Sequence, residues 1–382
     1  MTTYDAIVVG ARCAGAATAM LLARRGMRVL AIDRGQYGSD TLSTHALMRG
    51  GVLQLARWGV LRAIVAAGTP AVRSVSFYYD GERVQVPIKA RDGVEALFAP
   101  RRSVLDRLLV DAARHAGAEI AYHTRLGGLM RAPDGRVRGA VLEGPNGGGR
   151  RVPARIVIGA DGLRSTMVQL VGAVPYYVGR HSSAVVYGYW PDMDVREYEW
   201  HFIAGASAGV IPTNDGQTCV FASTPAAQFH DVFGGHVAAG YLRTLERVAP
   251  AIAAAVGRAS RTVSLHGFPG HAAFLRQSVG PGWALVGDAG YFKDPLTAHG
   301  ITDALRDAEL LADAIAEGTD AALARYQQQR DELSRGVFDV TDAIAAYDWT
   351  IPEVRVLHEL LAREMSREVT AMTRWGPTVT AA

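Results

Sequence analysis

The chain has 382 residues, 49% apolar and 20% charged, with a formal net charge of +3, ordinary for a globular protein of two or three domains. Its two cysteines, Cys13 and Cys219, are too few for a disulfide framework and lack the paired spacing of a zinc site, so no metal is expected. Arginines are scattered rather than striped among aromatics, and no apolar run approaches the ~18 residues of a membrane span, so neither nucleic acid nor the bilayer interior is an expected partner.

The first apolar run, Ala6–Val9, has no basic leader or cleavage-like site before it, and a cytoplasmic location is expected. It belongs to a β-α-β unit: a buried strand Asp5–Val9, a glycine-bearing turn, a helix over Ala14–Arg25 closed by Gly26, and a strand over Met27–Ile32. Continuous apolar strands of this kind belong to parallel sheets covered on both faces. The spacing predicts helices around Leu47–Trp58 and over Arg102–Ala116, then a strand Glu119–His123. Hairpins turn at Pro133-Asp134-Gly135 and at Asn146-Gly147-Gly148-Gly149 before the strand Arg155–Ile158.

Val72–Ile88 and His181–Ser223, the latter turning at Asn214-Asp215-Gly216, read as strands of a separate sheet. Helix is expected over Ala226–Val256, strand at Thr262–His266 and Trp283–Val286, and helix from Ile301 onward. The expected fold is therefore α/β. A Rossmann-like, doubly wound domain is assembled from residues 1–71, 98–175 and 265–330. A mainly antiparallel β-sheet substrate domain, 72–97 and 176–264, is inserted into it, and residues 331–382 form a helical carboxyl terminus.

Gly10-Ala11-Arg12-Cys13-Ala14-Gly15 sits between a buried strand and a helix, where a dinucleotide fingerprint belongs, and Asp33 ends the next strand. Gly10 permits the tight turn, Gly15 lets helix and strand pack closely, and Asp33 suits the ribose hydroxyls. Arg12 replaces the glycine that normally lets backbone approach the pyrophosphate, and its guanidinium is expected beside the phosphates. Asp161-Gly162 and Gly287-Asp288 likewise follow apolar strands. Ligands of doubly wound sheets bind outside the carboxyl ends of strands, so three such turns can surround one extended molecule. Asp161 and Asp288 are suited to accepting from sugar or ribityl hydroxyls rather than to touching phosphate.

Together these three signatures resemble those of the single-component flavoprotein monooxygenases typified by para-hydroxybenzoate hydroxylase. The resemblance spans residues 10–288 and implies FAD as cofactor, with NADH or NADPH as a transient reductant. Arg102, in Arg-Ser-Val-Leu-Asp, matches the family arginine that contacts the flavin side of the cofactor. Leu126 falls where the family makes a backbone contact to adenine, and Arg34 follows the ribose acid. Residues 289–304, with Pro295, Gly300 and Ile301 as the nearest, are similar to the segment passing beside the isoalloxazine, where helix amides stabilise reduced flavin.

The resemblance also implies oxygen addition to reduced flavin and transfer of one atom, through a flavin hydroperoxide, to an aromatic or polyketide-like small molecule. Molecular oxygen and that substrate are then the partners; nothing in the sequence sets the oligomeric state. Thr44 and His45 match the region flanking the flavin. His45 is the acid/base candidate, and helix capping or a place near phosphate is its alternative. Tyr187, Tyr189, Trp200 and Phe221 are candidate pocket walls. Lys89 and Lys293 are the two lysines, and Lys293 is expected at the surface.

No Trp-x-Trp-x-Ile-Pro segment of the flavin-dependent halogenases is present. The Phe292–Gly300 segment is also similar to that of geranylgeranyl reductases, which makes a flavin reductase or dehydrogenase the rival reading. A nucleotide-binding protein without redox activity is the third.

Overall fold

The structure is a computed structural model of the chain, and it describes residues 3–145, 147–258 and 263–375. Asn146 of the second expected hairpin turn, Thr262 of the expected strand and residues 376–382 of the helical tail lie outside the described residues.

Tyr4–Val9 runs parallel to Val29–Ile32 on one side and to Gly149–Gly159 on the other. Trp283–Leu285 and Glu119–Ala121 extend this parallel core at its two ends. Alternate residues serve opposite faces. Ala6, Val8, Ala31, Ile156 and Ile158 pack under the helices Cys13–Arg24, Arg102–His115 and Gly300–Glu317. Ile7, Val9, Leu30, Ile32 and Val157 face the hairpin Arg125–Arg131/Val137–Glu143 and the short helix Thr166–Val171. With both faces covered, each of the valine, leucine and isoleucine side chains among them contributes about 1.5–3 kcal/mol, and period-two polarity is absent because no face meets water.

A seven-stranded sheet holds Ser74–Tyr79, Glu82–Pro87, Ser183–Pro191, Tyr198–Ile203, Ala206–Pro212, Gln217–Pro225 and His266–Phe268. Pairing is antiparallel except between Tyr198–Ile203 and Ser74–Tyr79. One face carries Tyr187, Trp200, Ile211, Cys219 and Phe221 into the core shared with the parallel sheet. Val186, Trp190, Val210, Val220 and Ala222 turn the other way, toward the helices Val237–Val248 and Pro250–Gly257. A small third sheet joins Pro175–Val178, Phe274–Arg276 and Tyr291–Phe292.

The carboxyl-terminal part is helical: Gly300–Glu317, Asp320–Ala345 and Ile351–Thr373. Gly318, at φ +79°, stops the first, and Thr319 caps the second by accepting from the Ala322 amide. Thr350 and Glu353 form a capping box that starts the third. Arg49–Arg57 packs against the first of these helices through Gly50 and Gly51, where a Cβ would stand 2.9 Å from Thr302 Cγ2 and 2.8 Å from Thr302 Oγ1. Among the described residues, no helix is long and apolar enough to cross a membrane.

Candidate functional site

Three turns meet at the carboxyl ends of adjacent parallel strands. Gly10 adopts φ +101°, and a Cβ there would lie 2.8 Å from the Ala160 carbonyl carbon and 3.2 Å from Asp161 Cα. Gly287 adopts φ +62° and would press a Cβ to 2.8 Å from Ala14 Cβ. Gly10, Asp161, Gly287 and Asp288 therefore surround one groove, with the Cys13–Arg24 helix starting at its floor. That helix has no side-chain cap and no acid in its first turn, which leaves its positive end open to an anion.

Asp33 accepts from the Ala11 amide at 2.9 Å and the Gly35 amide at 2.7 Å, keeping lone pairs on both oxygens for hydroxyl donors. Arg34 is exposed and lines a cleft with His123, Arg125 and Glu143, beside the buried Leu126. Asp161 is turned into its own loop, accepting from Ser165 Oγ at 2.5 Å and from the Thr166 and Met167 amides at 2.7 and 3.2 Å, with Gly162 at φ +77° beside it. Asp288 is exposed to solvent, with protein enclosing it at longer range. That enclosure raises its pKa to about 6 against the opposing pull of Arg102.

Arg12 does not stand free. Its guanidinium bonds Asp106 at 3.1 Å, Ser39 O at 3.2 Å, Ser39 Oγ at 3.1 Å and Asp40 O at 3.3 Å. It ties the segment after the second strand to the Arg102–His115 helix. Arg102 grips the same carboxylate bidentately, at 2.9 and 3.0 Å, and Cys13 Sγ donates to it at 2.9 Å. Asp106 is thus the organising acid of this corner, and sequence reasoning missed it. Its position one helical turn after Arg102 was the available signal.

The segment leading to His45 is clasped by the inserted sheet. Tyr187 Oη accepts from the Ser43 amide at 2.9 Å, and Tyr189 Oη donates to Ser43 O at 3.3 Å. Thr44 is half-buried. His45 takes φ +46°, stacks on Tyr189 with centroids 5.6 Å apart, and donates from Nδ1 to Ala99 O at 3.1 Å. Its Nε2 is buried without a partner among the described residues. Burial, with the Arg101 charge adding to it, lowers the imidazole pKa to about 3, so the ring is neutral and a weak base.

Arg101, which the sequence reading passed over for its neighbour, lies 3.5 Å over the Tyr189 ring. It also bonds Asp40 at 2.5 Å and Gln217 at 2.6 Å. Trp200 and Phe221 stand 5.8 Å apart and close over Gly209. Tyr187 is 4% exposed, Trp200 8% and Phe221 6%, so all three pack as core between the inserted sheet and the parallel-sheet domain.

Beyond Asp288 the chain turns at Pro295–Thr297, held by Asp294, which accepts from the Leu296 amide at 3.0 Å and from Ser183 N and Oγ at 2.6 Å each. Pro295 and Ile301 are half-buried and Gly300 is exposed, at the amino end of its helix. Lys293 corrects the surface expectation: it is 5% exposed and ion-pairs with Asp303. The reason is local pairing. Tyr291–Phe292 joins the third sheet, which sends the next residue inward to the acid one turn into the helix. His299, Asp303 and Glu368 lie close enough to surround a cation, but Lys293 and Arg306 already bond their carboxylates. Chemistry there is that of a closed ion network.

The groove fits FAD on its own geometry. Only glycine fits at the two turns that abut its floor, acceptors face where hydroxyls would lie, and a helix terminus faces where phosphate would lie. Residues 3–341 match the family model described as FAD binding domain. The chain is 30% identical over 349 residues to digeranylgeranylglycerophospholipid reductase 2 of Methanopyrus kandleri, covering 86% of this chain and 82% of that one. It is 31% identical over 186 residues to aklavinone 12-hydroxylase DnrF of Streptomyces peucetius subsp. caesius, covering 44% and 37%. The fold is similar to PqsL of P. aeruginosa, with TM-score 0.79, 22% identity, and 96% and 100% coverage. The chain therefore belongs to the FAD binding domain family and is an FAD-dependent oxidoreductase.

Proposed function

We propose that this oxidoreductase reduces an unsaturated, apolar substrate of isoprenoid or quinone type, drawing electrons from NADH or NADPH. The observation that carries this reading is the 30% identity to a reductase over 86% of the chain, well past the cofactor-holding turns. FAD, when bound, supplies the hydride transfer in both directions. The Gly10 loop, Asp33, Arg102 and Asp288 hold and orient it.

The Pro295–Gly300 turn and the helix behind it stabilise negative charge on its reduced form. Tyr187 and Tyr189 form the aromatic wall. Burial raises the Tyr187 pKa to about 12, so its hydroxyl keeps its own proton while accepting from the Ser43 amide. The neutral His45 neither repels an apolar substrate nor competes as a base.

A second reading, insertion of one oxygen atom of molecular oxygen into an aromatic substrate, is favoured by the partial-length identity to the hydroxylase. Following reduced-nicotinamide consumption with polyprenyl compounds, quinones and phenols, with and without oxygen, separates the two. Reduction predicts product under anaerobic conditions. Product one oxygen atom heavier, formed only with oxygen uptake, would replace it by the second reading.

A further inference from the structure

We infer that Glu368 is a positioning residue for the cofactor-facing turn, acting through His299 and Arg306 at the start of the Gly300–Glu317 helix. This rests on the proposal that the turn faces the flavin ring. Glu368 belongs to Ile351–Thr373, a helix that lies wholly beyond residues 3–341 matched by the family model.

Its side chain is 0% exposed, and each oxygen has one short contact: Oε2 to His299 Nε2 at 2.6 Å, Oε1 to Arg306 Nη1 at 2.6 Å. Arg306 continues to Asp303 at 3.1 Å and to Asp307 and Ser334 Oγ at 2.6 and 2.8 Å, while Lys293 closes on Asp303. One carboxylate from the last helix thus joins both ends of the turn's charge network.

Docking alone does not explain an acid here. A helix is seated as well by an apolar side chain, since burying an ion pair costs about as much as it returns. The same helix is in fact seated by Val354, Val369 and Met372, all at most 2% exposed. What the carboxylate adds is a fixed hydrogen position. Burial would raise its pKa, but His299 and Arg306 outweigh that and hold it well below the usual carboxylate range.

An ionised carboxylate only accepts, so the 2.6 Å contact places a hydrogen on His299 Nε2 and fixes the ring. His299 is the N-cap residue of that helix, its carbonyl accepting from the Asp303 amide at 3.0 Å, so a fixed ring anchors the residue at which the chain enters the helix. Its Nδ1 is buried without a partner among the described residues and Asp303 stands 3.7 Å from its Nε2, so Glu368 makes the short contact that holds the imidazole.

The test uses the FAD-loaded protein and compares Glu368→Gln, Glu368→Asp and the exposed control Glu359→Gln. Readouts are the midpoint potential and visible absorption of bound FAD, its dissociation constant by fluorescence, and Tm. Gln removes one negative charge and satisfies both partners only if His299 gives up its Nε2 hydrogen. The expected result is a raised potential and shifted flavin bands in E368Q, partial return toward wild type in E368D, and no change in E359Q. His299→Gln, expected to shift the bands as well, serves if E368Q does not accumulate. A variant that lowers Tm while leaving potential and bands at wild-type values overturns the inference. Wild-type protein that fails to bind FAD would instead overturn the reading of the groove, a separate and earlier result.

Discussion

Gly15→Ala tests the groove most directly. A Cβ at Gly15 would stand 2.8 Å from the Gly10 carbonyl carbon, closer still to its oxygen, and 3.1 Å from Ala160 Cβ. Two of these are backbone atoms, so no rotamer change relieves them. Restoring ordinary contact requires the helix to retreat by about 1.5 Å, and overpacking of this kind costs about 2 kcal/mol. For a chain of this length that lowers Tm by about 2–3 °C.

The same retreat withdraws the helix amides and the Gly10 turn from the phosphates, and a displacement of that size weakens a positioned interaction by about a hundredfold. Fluorescence titration of flavin-free protein with FAD measures the affinity, and calorimetry measures Tm. Gly26→Ala is the control: Gly26 has φ +76° but open space around it, so that variant loses about 1 kcal/mol of stability and keeps FAD affinity. FAD affinity of G15A within about twofold of wild type, where about a hundredfold loss is expected, would show that the loop does not hold the cofactor.

Arg12→Ala releases Ser39 and Asp40 as well as Asp106, and is expected to lower FAD affinity about tenfold and to speed proteolysis of residues 34–46; unchanged cleavage and affinity would leave Arg12 without either role. His45 has a folded pKa of about 3, below its unfolded value, so its contribution favours the fold above pH ~6.5 and is lost as pH falls toward 3, with a slope of up to about 1.4 kcal/mol per pH unit. His45→Asn, which tolerates the left-handed backbone, should flatten that part of the acid-denaturation curve, and a curve parallel to wild type would refute the burial argument. Asp288 has a folded pKa of about 6, above its unfolded value, so in flavin-free protein its charge opposes folding as pH rises through 6. Asp288→Asn should raise Tm at about pH 7.5 more than at about pH 5, and equal gains at both would contradict the shift. Lys293→Met leaves Asp303 with Arg306 and the more distant His299 and should cost about 3 kcal/mol in a urea melt; adding Asp303→Leu should recover part of it, whereas additive losses would mean the pair is not coupled.

The buried strands were legible because a run such as Ile7-Val8-Val9 needs apolar neighbours on both sides, and the glycines were legible because a turn at a strand end tolerates little else. Which face of the inserted sheet turns toward the parallel-sheet domain was not. Tyr187 and Tyr189 share a face of the inserted sheet with Cys219 and Phe221, but Val186, Trp190 and Val220 on the opposite face are equally buried, so alternation carried no polarity to read. Lys293 was misread because its partner lies ten residues ahead and the rest of its network sits on helices far along the chain. Asp106 and Arg101 escaped because each does its work between elements whose adjacency only the folded chain reveals.

Where Gly50 and Gly51 meet Thr302, a methyl group fits only if the threonine side chain gives way, and the two helices form a single abutment. New substrates must therefore be accommodated elsewhere, by resculpting the inserted sheet or the stretch between the second strand and His45. A lineage descended from this chain can diversify its chemistry in those parts while these three positions stay fixed. Directed evolution libraries concentrated there would sample viable variants, whereas substitution of Gly50 or Gly51 would cost about 1–3 kcal/mol of overpacking.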